Sequence, residues 1–222
     1  MRTAVADNMQ DSAEATSRYV WPLLLKELGG VVEPVEREAT QMAQQLDMVA
    51  GIDYWHVSRG AGMVGVGTRV QWIDTESGPN AVVPKGWRSF TVRVERANGT
   101  KSEYDRILQV ANQPGVKPHL MVHAYFKKPK RSGDLVAVAV ARSRDVVHLL
   151  QLQRARDGDC KAAGMRVNPD DGTKFGVVTW EALERARMPL LVVRPIMDGV
   201  MTEVSGARNG GVERLWTNEY EW

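Results

Sequence analysis

With 222 residues, 43% of them hydrophobic and 25% charged, the chain has the make-up of a globular protein with one sizeable core, or one core plus a small appendage. A net charge of +2 removes any global electrostatic demand for nucleic acid or membrane, so a polyanion site has to come from local clustering. The single cysteine, Cys160, excludes an intramolecular disulfide and a cysteine-rich zinc site and fits a cytoplasmic location, and no run approaches the roughly 18 apolar residues that span a bilayer.

Residues 1–17 are polar and mixed in charge, unlike a signal peptide, and read as a flexible arm. Ala15, Tyr19, Val20, Leu23, Leu24 and Leu28 have helical spacing, and Gly29-Gly30 ends that helix. Pro34 suits the first position of a second helix, with Glu36 and Glu38 in its first turn and Val35, Ala39, Met42, Ala43, Leu46 and Val49 as its buried stripe. Strands are expected over 52–57, 64–73 and 89–96, the three forming an antiparallel meander. A loop over 74–88, with Gly78-Pro79 and Pro84, separates the last two.

A helix over 103–111 follows, and its Glu103 and Arg106 are spaced for a surface ion pair. Residues 119–126 and 135–141 are near-continuous apolar runs, the pattern of strands in the middle of a sheet, and are joined by Lys127-Lys-Pro-Lys-Arg131. Ser143 and Thr179 are placed to cap helices, with strands over 174–178 and 190–194 and little periodicity after Pro195. The order implies an α/β fold, a central mixed β-sheet with an antiparallel meander flanked by helices. Residues 1–150 form the expected core domain, and 151–222 a C-terminal extension on the same sheet.

The chemistry concentrates around Gly51-Ile52-Asp53, which sets a carboxylate at a strand edge, and Arg69-Val70-Gln71, which sets a cation and an amide on one face of the next strand. Thr91, Arg93 and Glu95 share a face of the third strand, where Arg93 could meet phosphate or the three could form a solvated face with a cross-strand ion pair. Lys127, Lys128, Lys130 and Arg131 place four cations in five residues, suited to phosphate contact or to keeping sheet edges from associating. His119 and His123 stand about 13 Å apart along a regular strand and cannot share one metal unless the strand is bulged. No Ser-His-Asp order, Walker loop or dinucleotide fingerprint is present.

Over residues 34–126 the order of elements and the Asp53 and Gln71 positions resemble the restriction-endonuclease-like, PD-(D/E)XK, core. The succession Leu46-Asp47, Gly51-Ile52-Asp53, Arg69-Val70-Gln71 and Thr91-Val92-Arg93 is also similar to that of uncharacterised phage- and plasmid-type proteins. The first resemblance implies a nuclease-like site. Asp53, with Glu36 or Glu38, would hold Mg²⁺ or Mn²⁺, Gln71 would orient the metal or its water, and Arg69 would bind phosphate. The sequence departs from that pattern where the family has a lysine, because Ile73 stands two residues after Gln71. Two functions follow as expectations. One is a nucleic-acid-associated protein, binding DNA or RNA, with a degenerate metal-dependent nuclease-like site. The other is a non-catalytic accessory or phage assembly protein that binds a protein partner or a second copy of itself.

Overall fold

The computed structural model describes residues 4–35, 51–59, 62–75, 81–95, 102–112, 118–128, 134–157, 166–168, 172–196, 199–205 and 215. Its elements are helices α1 (Ala4–Ala15), α2 (Trp21–Leu28), α3 (Glu103–Asn112), α4 (Ser143–Asp157) and α5 (Trp180–Arg185), with ten strands. The strands are β1 (Val31–Pro34), β2 (Tyr54–Ser58), β3 (Gly62–Ile73), β4 (Ser89–Glu95), β5 (Leu120–Lys127), β6 (Leu135–Arg142), β7 (Arg166–Val167), β8 (Lys174–Thr179), β9 (Leu190–Ile196) and β10 (Gly199–Ser205).

Among the described residues two sheets are formed. The larger is seven-stranded in the order β1-β2-β3-β5-β6-β9-β10, and the smaller is β4-β8-β7. Within the large sheet β3 and β5 run parallel and the other pairs are antiparallel, so the fold is the expected α/β mixed sheet. Its antiparallel meander is β1-β2-β3, however. The third strand expected there, β4, lies in the small sheet against β8. Pro34, expected to open a helix, ends β1 opposite Tyr54. An edge strand accepts proline because one of its sides needs no N–H donor.

Three layers result. On one side of the large sheet Val20, Trp21 and Leu24 cover Tyr54, Val66, Val122, Phe126, Val138 and Val193. On the other, Met121, Tyr125, Ala137, Ala139 and Val192 pack under Phe90, Val92 and Val178 of the small sheet, together with Ile107, Leu150, Trp180 and Leu183 of the helices. The alternation along β5 and β6 sends successive apolar side chains to opposite cores, which is why both strands read as unbroken apolar runs. Every residue of β5 but Lys127 is buried. The small sheet needs a close approach to α4: a Cβ on Gly176 would sit 2.5 Å from Leu150 Cδ2, and only glycine leaves that space.

The segment read as an arm is helical from Ala4, and it continues through a π-helical turn, Thr16–Val20, into α2. Pro22 explains that turn, since it has no N–H for the helical ladder. Trp21 N–H reaches Thr16 O instead, and Thr16 Oγ1 donates to Ser12 O at 2.7 Å. Thr179 caps α5 as expected, accepting from Ala182 N at 3.1 Å. Ser143 opens α4, but its hydroxyl donates to the carbonyls of Pro118 and His119 and so ties the helix to the start of β5. Residue 150, the expected junction between core and extension, lies inside α4. The chain after it supplies β8 to the small sheet, and β9 and β10 to the large one.

Candidate functional site

Asp53 immediately precedes β2, after Gly51 turns the chain at φ 68° and Ile52 is buried against Gly65. The β2–β3 pairing stops at Tyr54 and Val66, yet β3 runs on to Ile73. Asp53 takes the next place along that edge: its Oδ2 accepts from Thr68 N at 2.6 Å and from Thr68 Oγ1 at 3.0 Å. Its own N–H donates to Val66 O, and its carbonyl accepts from Val35 N, both at 2.9 Å. A carboxylate in this position extends the ladder by one donor–acceptor pair.

Arg69 and Gln71 project from the opposite side of β3, toward the small sheet. In the parallel register they stand beside His123 and Tyr125. Arg69 Nη1 donates to Thr91 O at 2.8 Å and to Thr91 Oγ1 at 2.6 Å, and Nη2 donates to Glu103 Oε2 at 3.1 Å. Glu103 Oε2 also accepts from Arg93 N at 3.1 Å. The guanidinium groups of Arg69 and Arg93 lie 5.4 and 5.8 Å from the centre of the Phe175 ring. Glu103 is therefore the partner of Arg69 and not, as its spacing suggested, of Arg106, whose Nε donates to Ser102 O. No signal in the sequence links positions 69 and 103, which meet only because β4 and α3 fold over β3.

Gln71 Oε1 is buried without a hydrogen-bond partner among the described residues, and Ile73, at the family's lysine position, is fully buried. His123 is buried on β5 with its ring 4.8 Å from that of Phe90, and its Nδ1 has no partner among the described residues. Burial, reinforced by the nearby Arg69 cation, holds its pKa well below 6.5. Tyr125 donates from its hydroxyl to Ser89 O at 2.7 Å and meets Trp180 edge-on, and burial raises its phenol pKa far above 10. His119 donates from Nε2 to Leu215 O at 3.0 Å, and burial lowers its pKa as well. His56 is also buried, donating from Nε2 to Gly29 O at 2.8 Å.

The basic run begins at the end of β5. Lys127 closes the strand, and Lys128 Nζ pairs with Asp74 at 3.2 Å with both side chains more than half exposed. Lys130 and Arg131 lie outside the described residues, as do Glu36 and Glu38. Along β4 the alternating face is not uniformly solvated. Thr91 is buried, Arg93 is half-buried, and exposed Glu95 makes the cross-strand ion pair with Lys174 at 2.7 Å.

Among the described residues no converging set of anionic oxygens stands at the site the resemblance implies, and its two candidate glutamates, Glu36 and Glu38, lie outside them. A hard dication needs converging anionic oxygens. Asp53 Oδ2 is held by Thr68 on the α1–α2 side of the sheet, Gln71 lies on the other side, and Glu103 is held by Arg69 and Arg93. Among the described residues no group of three His, Cys, Asp or Glu is placed to hold a metal. What the arrangement does is brace two sheets and a helix through one half-buried guanidinium. Comparison with protein-family models, curated proteins and solved structures returned no match.

Proposed function

We propose that this chain is a nucleic-acid-associated protein whose nuclease-like site is degenerate, so that it binds without cutting. One observation carries the reading. Arg69, the cation that would clamp a phosphate, has both terminal nitrogens engaged by Thr91 and Glu103, and Ile73 offers no ammonium in the lysine's place. Phosphate contact falls instead to Lys127, Lys128, Lys130 and Arg131. Among the described residues no helix is long and apolar enough to cross a membrane.

The test has two arms. Single- and double-stranded DNA and RNA are incubated with Mg²⁺ or Mn²⁺, and binding to the same strands is followed across a salt series. Expected are no cleavage and an affinity that falls steeply with salt. Replacing the four basic residues by Ala lowers the log–log slope by about 3 to 4 units on duplex. Metal-dependent cleavage that Asp53→Asn abolishes would overturn the reading in favour of a working nuclease.

A protein partner or a second copy of the chain is the second reading, and a different observation favours it. Val31, Val57 and Met63 stand in register across β1, β2 and β3 and are 56%, 38% and 65% exposed. Such an apolar row is a candidate contact surface. If it joins two copies, Met63→Glu converts a dimer to a monomer in light scattering.

A further inference from the structure

Strands β3 and β5 end side by side, at Ile73 and Lys127, and the chain beyond them is tied to a corner of the small sheet. Lys128 N donates to Ile73 O at 3.1 Å, and its ammonium pairs with Asp74. Thr75 Oγ1 then donates to Val82 O at 3.1 Å, and Arg88 Nε to Val83 O at 2.7 Å. Between Val83 and Arg88 lies the tight turn Lys85–Trp87, closed by Trp87 N–H on Pro84 O at 2.8 Å.

Arg166, from the edge strand β7, completes the corner. Its Nη2 donates to Gly86 O at 2.8 Å, and its guanidinium lies 5.4 Å from the centre of the Trp87 ring. Trp87 belongs to neither core and is 38% exposed. Arg166 lies against its ring, Lys85 and Arg88 are close to it in the chain, and residues 81–90 and 166–168 contain no Asp or Glu. This aromatic and cationic corner is therefore linked by successive contacts to Lys128 and the start of the basic run.

We propose that this corner is a stacking platform for single-stranded nucleic acid, with a base resting on Trp87 and flanking phosphates on Lys85 and Arg166. The proposal rests on the nucleic-acid reading above and adds the form of the ligand. Stacking needs a base face, and a duplex hides its base faces in the helix. The charge pattern points the same way, because an indole set among cations matches a ligand that alternates flat rings with phosphates. Arg166 is already pinned by the Gly86 carbonyl, so its planar cation is ordered before a strand arrives.

The experiment is fluorescence anisotropy with labelled oligo(dT) and oligo(U) of about 15 nucleotides, against a duplex of equal length. Expected is tighter binding of a single strand than of duplex. Trp87→Ala should weaken single-strand binding about tenfold and Trp87→Phe should restore most of it, while Arg166→Ala weakens it by a smaller factor. The oligo(dT) and oligo(U) arms separate a DNA from an RNA ligand. Replacing Lys127, Lys128, Lys130 and Arg131 lowers the salt slope and leaves the effect of Trp87→Ala intact. Single-strand binding unaffected by Trp87→Ala, or a preference for duplex, overturns the platform and leaves the nucleic-acid reading standing. Equal displacement by polyglutamate, which has charge and no bases, makes an acidic protein the occupant and overturns it as well. No binding to either form overturns both. Circular dichroism on each variant confirms that the comparison is between folded proteins.

Discussion

Arg69 of the large sheet donates to both the carbonyl and the hydroxyl of Thr91 in the small one. The two sheets share no strand, so this fork, with Glu103 as its third acceptor, is a direct polar tie between them. The side chains of Arg69 and Glu103 are 26% and 22% exposed, which leaves the pair only partly screened by water. Arg69→Ala removes three donor contacts and leaves the Glu103 carboxylate with the Arg93 N–H but without its cation, and should cost about 2 kcal/mol in urea unfolding. Arg69→Lys should recover less than half of that, because an ammonium cannot reproduce the fork. A double-mutant cycle with Glu103→Ala should show a coupling of about 1 kcal/mol, and a coupling of zero would mean the tie contributes nothing to docking the sheets.

Asp53 gives a separate prediction. Its Oδ2 takes two hydrogen bonds from Thr68, an arrangement that Asn can reproduce with its own carbonyl oxygen. Asp53→Asn should therefore lower stability by less than about 1 kcal/mol, and Asp53→Ala by about 2 kcal/mol, since Ala leaves Thr68 N–H without its acceptor. Equal losses in the two variants would show that the negative charge, not the hydrogen bonds, is what β3 needs.

Acid should weaken the fold through two histidines. Burial depresses the pKa of His123 and His119 in the folded chain, whereas unfolding returns both to about 6.5. Below that value the unfolded state takes up protons that the folded state refuses, so stability is fully present above about pH 6.5 and declines as pH falls. Removing the His123 titration with His123→Leu should flatten the decline between about pH 6.5 and 5, although the variant starts from a different stability at neutral pH. Urea midpoints measured across that range decide the matter. An unchanged acid slope would place the responsible groups elsewhere.

The central hairpin sets the fourth expectation. Val122 and Val138 are buried on neighbouring strands, β5 and β6, at the middle of the large sheet. Truncating either to Ala should cost on the order of 1–3 kcal/mol through lost burial and a residual cavity. Amide exchange should be slowest in these two strands, and fast exchange there would contradict their central position.

The parts of this fold that were legible in the sequence are those where one residue's neighbours in the chain decide its structure. The apolar runs of β5 and β6, the Thr179 cap and the stop at Gly29 are of that kind. The placement of β4 was not, because its alternating pattern suits either sheet and its partner β8 lies far along the chain. Pro34 misled for a related reason. A proline at a helix start and a proline on an edge strand look alike until the neighbouring strand is known. At the candidate site, Asp53 does sit at a strand edge, and Arg69 and Gln71 do share a face. That Asp53 would turn to Thr68, and Arg69 to Thr91 and Glu103, depended on layers that no local pattern encodes.

The pairing of β4 with β8 also bears on how the polypeptide is made. β4 ends at Glu95 and its partner begins at Lys174, so translation must continue for many residues before the small sheet can close. At a synthesis rate of roughly 5–20 residues per second, that delay amounts to several seconds. Throughout it Phe90 and Val92 have no β8 to pair beside, and the nascent chain carries a sticky, half-made surface. The ribosome-bound intermediate, more than the finished protein, is then the species with this apolar strand left unpaired, and synonymous codons that slow elongation between the two strands would lengthen its exposure.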